Sequence, residues 1–144
     1  MISIDALAPG DRPDWQGLFR AYNDFYGTTL PQDGYDRAWA EFQAGERMRA
    51  LGARLDGRLA GIVHFLVHPS TTSGDVCYLE DLFTAPDARG QGVGRALIGA
   101  VVDWARGQGC SQVYWLTRKD NHTARRLYDQ VAENQGFIQY VIPF

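Results

Sequence analysis

A glycine-rich segment, Arg89-Gly90-Gln91-Gly92-Val93-Gly94, most constrains what this 144-residue chain can fold into. It follows a strand-like apolar stretch, Val76–Thr84, and precedes apolar residues at helical spacing from Ala96 to Trp104. Glycines permit a tight turn and leave the backbone accessible to a ligand. The first N–H groups of a helix lack partners within the helix, and the helix dipole favours negative charge there. The segment therefore predicts a strand–turn–helix unit that binds a phosphate or pyrophosphate, with Arg89 adding positive charge.

The spacing of the glycines distinguishes between three kinds of phosphate-binding loop. A dinucleotide-binding GxGxxG pattern that starts at Gly90 would have Arg95 in place of its last glycine. A P-loop requires a Gly-Lys pair, which the chain lacks. The pattern that remains is RxxGxG, from Arg89 through Gly92 to Gly94. A helix start that needs glycines for steric reasons alone is the alternative.

The rest of the chain alternates between strand and helix patterns, which predicts a mixed sheet with helices on its faces. The Asp56-Gly57 pair between two apolar runs is a strong hairpin signal. The predicted strands are Ile2–Ala6, Met48–Leu55, Leu59–Val67, Val76–Thr84, Gln112–Thr117 and Phe137–Ile142. The predicted helices run from about Asp11 to Tyr26, through Tyr35, Trp39 and Phe42, from the glycine segment to about Gly107, and through Ala124 to Val131.

Length and composition narrow the classes of function. A chain of 144 residues with 45% hydrophobic residues fits one domain, residues 1–144. Its net charge of −3 and the lack of a basic patch argue against a nucleic-acid partner. Without a signal peptide or an apolar run of membrane-spanning length, we expect a cytoplasmic protein with no membrane partner. The two cysteines and three histidines lack the spacing of metal ligands, so no metal is expected.

A second motif, Asn121-His122-Thr123-Ala124-Arg125-Arg126-Leu127-Tyr128, follows the glycine segment. Seven residues span nearly two helical turns, so Asn121 and Tyr128 are expected on one face of a helix. Asn121 is also well suited to cap the start of that helix. A tyrosine with helical neighbours could equally be a core aromatic residue.

Together the two motifs resemble those of the Gcn5-related N-acetyltransferases. The resemblance covers nearly the whole chain. It implies an α/β fold with a mostly antiparallel central sheet of six to seven strands and about four flanking helices. Tyr78-Leu79-Glu80-Asp81 is similar to spermidine/spermine acetyltransferases, and Tyr114-Trp115, Asn121-His122 and Gly136-Phe137 are similar to the yeast histone and polyamine branch. The gap between Tyr128 and Gly136-Phe137 is longer than in many relatives.

This resemblance implies acetyl-coenzyme A as co-substrate and assigns residues to it. The glycine segment would bind the pyrophosphate, and the preceding strand would pair with the pantetheine arm, with the Leu82 N–H on the thioester carbonyl. Asn121 would contact the same arm, and Tyr128 would act as general acid toward the sulfur. The residues assigned to the coenzyme are Leu82, Phe83, Thr84, Arg89, Gly90, Gln91, Gly92, Val93, Gly94, Arg95, Asn121 and Tyr128.

The acceptor amine must lose a proton before it attacks, because a lysine-like amine has a pKa of about 10.4. By resemblance Glu80 is the preferred base, with Asp81, on the opposite face of a regular strand, as the alternative. A purely structural role for either carboxylate is also open. The residues expected at the acceptor are Tyr22, Phe25, Tyr26, Glu80 and Trp115, although aromatic residues of this kind are often core.

The leading hypothesis is an N-acetyltransferase that acts on a primary amine of a small molecule, a polyamine or an amino acid, by direct attack. Neither Cys77 nor Cys110 has sequence neighbours that suggest a covalent acetyl-enzyme. Acetylation of a peptide or protein amine is an alternative within the family, and a non-catalytic acyl-CoA-binding module is another. A homodimer is expected, because relatives are often dimers.

Overall fold

The computed structural model describes residues 1–144, which form five strands and four α-helices. The strands are β1 (Ile2–Ala6), β2 (Arg49–Leu55), β3 (Arg58–His68), β4 (Val76–Thr84) and β5 (Val113–Tyr114). The helices are α1 (Arg12–Phe25), α2 (Gln32–Ala44), α3 (Val93–Gly107) and α4 (His122–Val131). Short 3-10 turns at Pro9–Asp11 and Pro86–Ala88 precede α1 and the glycine segment. No helix is both long enough and apolar enough to cross a membrane.

The strands form one sheet in the order β1-β2-β3-β4-β5. The first three neighbouring pairs are antiparallel, whereas β4 and β5 are parallel. The predicted hairpin joins β2 to β3, with positive φ angles of 52° at Asp56 and 86° at Gly57. Two positive φ angles match the right-handed twist of the strands they connect, which explains why Asp-Gly favours this turn.

Each face of the sheet carries its own apolar core, because side chains alternate along each strand. On one face, Val63, Phe65 and Leu79 pack against α3, and α4 lies at the edge of this core. On the other face, Ile62 and Phe83 pack against the aromatic residues of α1 and α2. The fold is thus a mixed α/β architecture with helices on both faces, which confirms the predicted class.

One predicted strand is shorter than expected, and another was wrong. The strand expected over Gln112–Thr117 is reduced to the two residues of β5, both partly exposed rather than buried. The segment Phe137–Ile142 forms no strand and lies exposed, because no edge of the sheet in this chain pairs with it. These differences reduce the sheet from the expected six or seven strands to five.

Candidate active site

The sheet opens between β4 and β5. Their pairing consists of Cys77 with Val113 and Tyr78 with Tyr114, after which β4 continues alone to Thr84. From Leu79 onward, the edge of β4 that faces away from β3 has no strand against it. Alternate residues of a strand direct their N–H and C=O groups to the same edge. The opening therefore presents unpaired backbone donors and acceptors from the stretch that contains Leu82, Phe83 and Thr84.

The glycine segment leads from β4 into α3 in the way the sequence predicts. Gly90 and Gly92 have φ angles of 77° and 87°, which disfavour residues with a side chain. The first backbone hydrogen bond of α3 runs from the Ala96 N–H to the Gly92 carbonyl at 3.0 Å. The N–H groups before Ala96 thus have no partner within the helix, and the first turn carries no acidic residue. This arrangement is suited to binding an anion.

Gly94 brings the three parts of the site together. A Cβ atom at this position would lie 3.2 Å from Leu127 Cδ2 on α4 and 3.9 Å from Thr84 Oγ1 at the end of β4. The absence of a side chain therefore permits α4 to approach the start of α3 closely. Since Leu127 precedes Tyr128, this contact helps to fix the position of the tyrosine relative to the loop.

The charged and bulky residues of the segment point in different directions. The Arg89 guanidinium lies 5.4 Å from the centre of the Phe83 ring, and its Nε–H donates to the Thr84 carbonyl at 3.3 Å. Arg95 donates a hydrogen bond to Gln130 on α4. Val93 is buried in the core, while Gln91 is exposed. Val93 can therefore offer a ligand its backbone but not its side chain, whereas the backbone groups of Phe83 face β3, on the edge opposite to those of Leu82 and Thr84.

Tyr128 lies on α4, and its ring packs edge-on against Trp115 with centroids 5.4 Å apart. Burial, and to a lesser extent Tyr26, raises the pKa of Tyr128 to about 12. The phenol therefore stays protonated at neutral pH and can donate a hydrogen bond. Asn121 occupies the capping position of α4 as predicted, but its side chain donates to Thr117 Oγ1 at 3.1 Å instead of capping the helix.

Three of the aromatic residues expected at the acceptor, Tyr22, Phe25 and Tyr26, lie together at the end of α1, whereas Trp115 packs against Tyr128. The Tyr22 and Tyr26 rings lie 4.9 Å apart, and Phe25, which is exposed, lies edge-on to Tyr26 at 5.0 Å. Arg118 lies 5.3 Å from the centre of the Tyr26 ring and donates to the Tyr26 carbonyl at 3.3 Å. A cation of the protein thus occupies one aromatic face of this cluster.

Glu80 and Asp81 lie at an irregularity of β4. The register pairs Asp81 with His64 but Leu79 with Phe65, so Glu80 is an extra residue in β4. This bulge breaks the strict alternation that would separate the two side chains onto opposite faces. Partial burial at the bulge, and then the charge of Asp81, raise the pKa of Glu80, although its side chain still reaches solvent. Burial, and next the charge of Asp81, also raises the pKa of Tyr22, so Tyr22 lies near the Asp81 carboxylate.

Two buried residues that the sequence did not indicate as site residues lie behind Asp81: His64 contacts Asp81, and Trp15 contacts His64. His64 Nδ1 lies 2.8 Å from Asp81 Oδ2, and the Trp15 indole N–H donates to His64 Nε2 at 2.9 Å. The available signal was the position of His64 within the apolar run Leu59–Val67, where a polar residue requires a partner.

Both cysteines have thiol pKa values above the ordinary value. Cys77 is buried in β4, where burial raises the pKa of its thiol to about 11. Burial and the charge of Asp75 raise the pKa of Cys110. A raised pKa disfavours the thiolate, which is the nucleophilic form. The thiols of both cysteines therefore favour the protonated form, which is a poor nucleophile for an acetyl group.

A shallow depression of about 180 Å³ lies elsewhere on the surface, beside Arg49, Asp75 and Trp104. None of the predicted site residues lines it. The candidate active site is instead the opening between β4 and β5, between the starts of α3 and α4.

This arrangement is that of an N-acetyltransferase. Residues 15–132 match the model of the Acetyltransferase (GNAT) family, and the chain belongs to that family. GNAT acetyltransferases use acetyl-coenzyme A as the acetyl donor.

Individual relatives span most of the chain. It is 33% identical to the D-amino-acid N-acetyltransferase HPA3 of Saccharomyces cerevisiae, over 96% of this chain and 89% of that protein. The structure of a ribosomal-protein-alanine N-acetyltransferase from Brucella melitensis covers 100% of both chains with 27% identity and a TM-score of 0.83. An aminoglycoside acetyltransferase, AAC(6')-Iy in complex with a bisubstrate analogue, shares the fold with a TM-score of 0.88 at 20% identity, over 100% of this chain and 99% of that one.

Proposed function

We propose that residues 1–144 form one N-acetyltransferase domain that transfers the acetyl group of acetyl-coenzyme A to a primary amine of a small molecule. The observation that carries this proposal is the opening of the sheet beside β4, with the glycine segment at one end and Tyr128 near it. The cytoplasmic location expected from the sequence remains a prediction.

The residues of the opening fit the coenzyme. The free edge of β4 offers backbone groups for the amides of the pantetheine arm. The start of α3 offers N–H groups for the pyrophosphate, without a carboxylate in the first turn to repel it. Arg89 is exposed and can turn from Thr84 toward a bound phosphate. When bound, the coenzyme supplies an activated acetyl group as a thioester.

In the proposed mechanism the amine nitrogen attacks the thioester carbonyl directly, and the carbon–sulfur bond breaks. The Leu82 N–H stabilises the negative charge that grows on the carbonyl oxygen. Tyr128 donates a hydrogen bond to the departing sulfur. The pKa of Tyr128 is about 12, which is higher than the pKa of about 8.5 of a cysteine-like thiol. Tyr128 therefore stabilises the thiolate by donating a hydrogen bond and does not need to transfer its proton completely.

Glu80 accepts the proton of the amine. Its raised pKa brings it closer to neutrality than an ordinary glutamate, which favours general-base catalysis near pH 7. Asp81 is the alternative base, but its carboxylate already accepts a hydrogen bond from His64. We therefore prefer Glu80 as the proton acceptor.

The acceptor is proposed to be a small cationic amine, such as an amino acid or a polyamine. The two carboxylates favour a cation, and the 33% identical yeast relative is named for D-amino acids. Arg118 at the aromatic cluster would favour an acceptor that also carries a negative group, and so an amino acid over a polyamine. A protein amine is the second candidate, since the Brucella structure bears the name of an enzyme that acetylates a ribosomal protein.

We also propose that the protein is a homodimer. The segment that follows α4 exposes six large apolar side chains, between 67% and 120% of their reference area: Phe137, Ile138, Tyr140, Val141, Ile142 and Phe144. A contiguous exposed apolar segment marks an interaction surface. A second copy would provide the partner that the segment lacks within its own chain.

The experiment is thiol release from acetyl-coenzyme A with D- and L-amino acids, polyamines, aminoglycosides and basic peptides as acceptors, using the wild type and Tyr128→Phe. We expect turnover of one class of small amine and a loss of about tenfold or more in kcat in the variant. Calorimetry of both proteins with acetyl-coenzyme A should give similar Kd values.

Three other results of these two measurements would each lead to a different conclusion. Turnover of peptides alone would establish the protein-acetylating alternative. Binding of acetyl-coenzyme A without turnover of any amine would favour an acyl-CoA-binding module. The absence of binding would refute the assignment of the glycine segment.

A further inference from the structure

A buried chain of hydrogen bonds leads from the aromatic core to the acceptor side of the site. It consists of Trp15 on α1, His64 on β3 and Asp81 on β4. Trp15 and His64 are fully buried, whereas the Asp81 side chain retains 16% of its exposure. This series of hydrogen bonds therefore begins in the interior and ends at a carboxylate that a ligand can reach.

The hydrogen-bond chemistry of Trp15 fixes the state of His64. An indole N–H is a donor and never an acceptor, so His64 Nε2, 2.9 Å away, must be the unprotonated nitrogen. The remaining ring nitrogen, Nδ1, then carries the hydrogen and donates it to Asp81 Oδ2 at 2.8 Å. His64 is thus a neutral imidazole in one tautomer, directed at the carboxylate.

The surroundings of His64 allow no other arrangement of the ring. Phe42 stacks on it with centroids 4.2 Å apart, and Phe19 meets it edge-on at 4.7 Å. Because Phe42 stacks on one face, Phe19 lies close to the ring and both nitrogens have partners, the ring cannot rotate without losing these contacts. No lysine or arginine lies within ion-pair distance of Asp81, and its shortest side-chain contact is with His64 Nδ1, with the Tyr22 hydroxyl as a further neighbour.

This arrangement cannot conduct a proton away from the active site. A proton passed inward would have to reach His64 Nε2, which faces a donor, and beyond Trp15 lies the aromatic core. This series of hydrogen bonds can orient Asp81 but cannot relay its proton to solvent. Glu80, which is exposed at the neighbouring bulge, has no such restriction.

We infer that Trp15 and His64 are positioning residues that hold Asp81 as an oriented carboxylate, so that it binds the ammonium group of the acceptor. The two carboxylates then have separate roles: Asp81 binds the cation, and Glu80 accepts its proton. This inference rests on the proposed function, because it assigns the acceptor side of the same site.

The test combines spectroscopy with kinetics. In the ligand-free protein labelled with 15N, two-bond 1H–15N correlations should show His64 as the neutral Nδ1–H tautomer at pH 7. In Trp15→Phe, which removes the indole donor, the Nε2–H tautomer should become populated. Observation of the Nε2–H tautomer or of the imidazolium in the wild type would overturn the inference, whether or not any amine is acetylated.

The kinetic variants separate orientation from packing. His64→Leu removes the donor to Asp81, whereas His64→Asn keeps an N–H at nearly the same position as Nδ1. Phe19→Leu is the matched control, since it disturbs the same aromatic core without touching the hydrogen bonds. Melting temperature and the Kd for acetyl-coenzyme A are measured for every variant.

We expect His64→Leu to lower kcat/KM for the acceptor by about tenfold or more, mainly through KM, and His64→Asn by about threefold. The Kd for acetyl-coenzyme A should remain within about twofold of the wild type. Equal losses in His64→Leu, His64→Asn and Phe19→Leu would refute a positioning role and leave His64 as a core residue. If no amine is acetylated, the proposed function fails, while the tautomer measurement still decides the geometry.

Discussion

The contact between α3 and α4 at Gly94 leads to a quantitative prediction. A Cβ atom there would lie 3.2 Å from Leu127 Cδ2, closer than the about 3.5–4.0 Å that carbon atoms prefer. Leu127 is partly buried and can yield by a few tenths of an ångström to one methyl group. A branched side chain would require α4 itself to move, and Tyr128 would move with it.

Gly99, in the middle of the same helix, provides the control, because nothing lies within 4 Å of a Cβ atom at that position. Gly99→Ala should raise the free energy of unfolding by about 1 kcal/mol through helix propensity, or about 2–4 °C in Tm. Gly94→Ala gains less, because it lies in the first turn and meets Leu127, so we expect almost no net change. Gly94→Val should lose about 1–3 kcal/mol from overpacking, whereas Gly99→Val should change stability by about 0.5 kcal/mol or less.

Urea unfolding of the four variants measures these differences, and acetyl transfer to the best acceptor measures their consequence. We expect Gly94→Val to lower kcat, because the displaced α4 carries Tyr128 away from the opening, while Gly99→Val retains wild-type activity. If the two valine variants are equally stable and equally active, Gly94 is not needed for the approach of α4. Anion binding at this site would then depend on the backbone donors of the loop and not on the approach of α4.

Three further predictions concern other parts of the molecule. Arg89→Gln should weaken acetyl-coenzyme A binding by about tenfold and reduce its dependence on salt, whereas Arg106→Gln, at the far end of α3, should change neither. The pKa of Glu80 is raised, so its carboxyl loses its proton at a pH above the ordinary pKa of 4.5, and kcat should increase with pH in that range. Glu80→Gln should abolish this increase. Phe137→Ser combined with Ile142→Ser should convert a dimer into a monomer in light-scattering measurements, and a wild type that is already monomeric would refute the proposed homodimer.

Features encoded locally were predictable from the sequence. The hairpin at Asp56-Gly57 follows from two residues that accept positive φ angles, and Val76–Thr84 was predicted with the bounds that the structure has. The start of α3 follows from the glycines that precede it. In each case the deciding interactions lie within a few residues of one another in the chain.

Features that depend on distant pairing were not predictable. The residues around β5 have the composition of a strand, but β4 diverges after Tyr78 and leaves them without a partner. Phe137–Ile142 has the same composition and no partner in this chain. The roles of Glu80 and Asp81 depended on a one-residue shift in the register with β3. That shift places His64 opposite Asp81, and no local pattern reveals it.

The two halves of the candidate site are built in different ways, and their physical demands explain the difference. On the proposed coenzyme side, β4 leaves backbone groups unpaired, which is tolerable because water can bond to them until a ligand takes its place. On the proposed acceptor side, the Asp81 carboxylate lies at the margin of an aromatic core, where a polar group needs hydrogen-bond partners. The chain meets that demand with Trp15 and His64, which are buried and satisfied in the absence of any ligand. The proposed acceptor side is therefore already organised in the absence of a substrate, and we expect selectivity among amines to depend on Asp81 and the aromatic cluster rather than on the glycine segment.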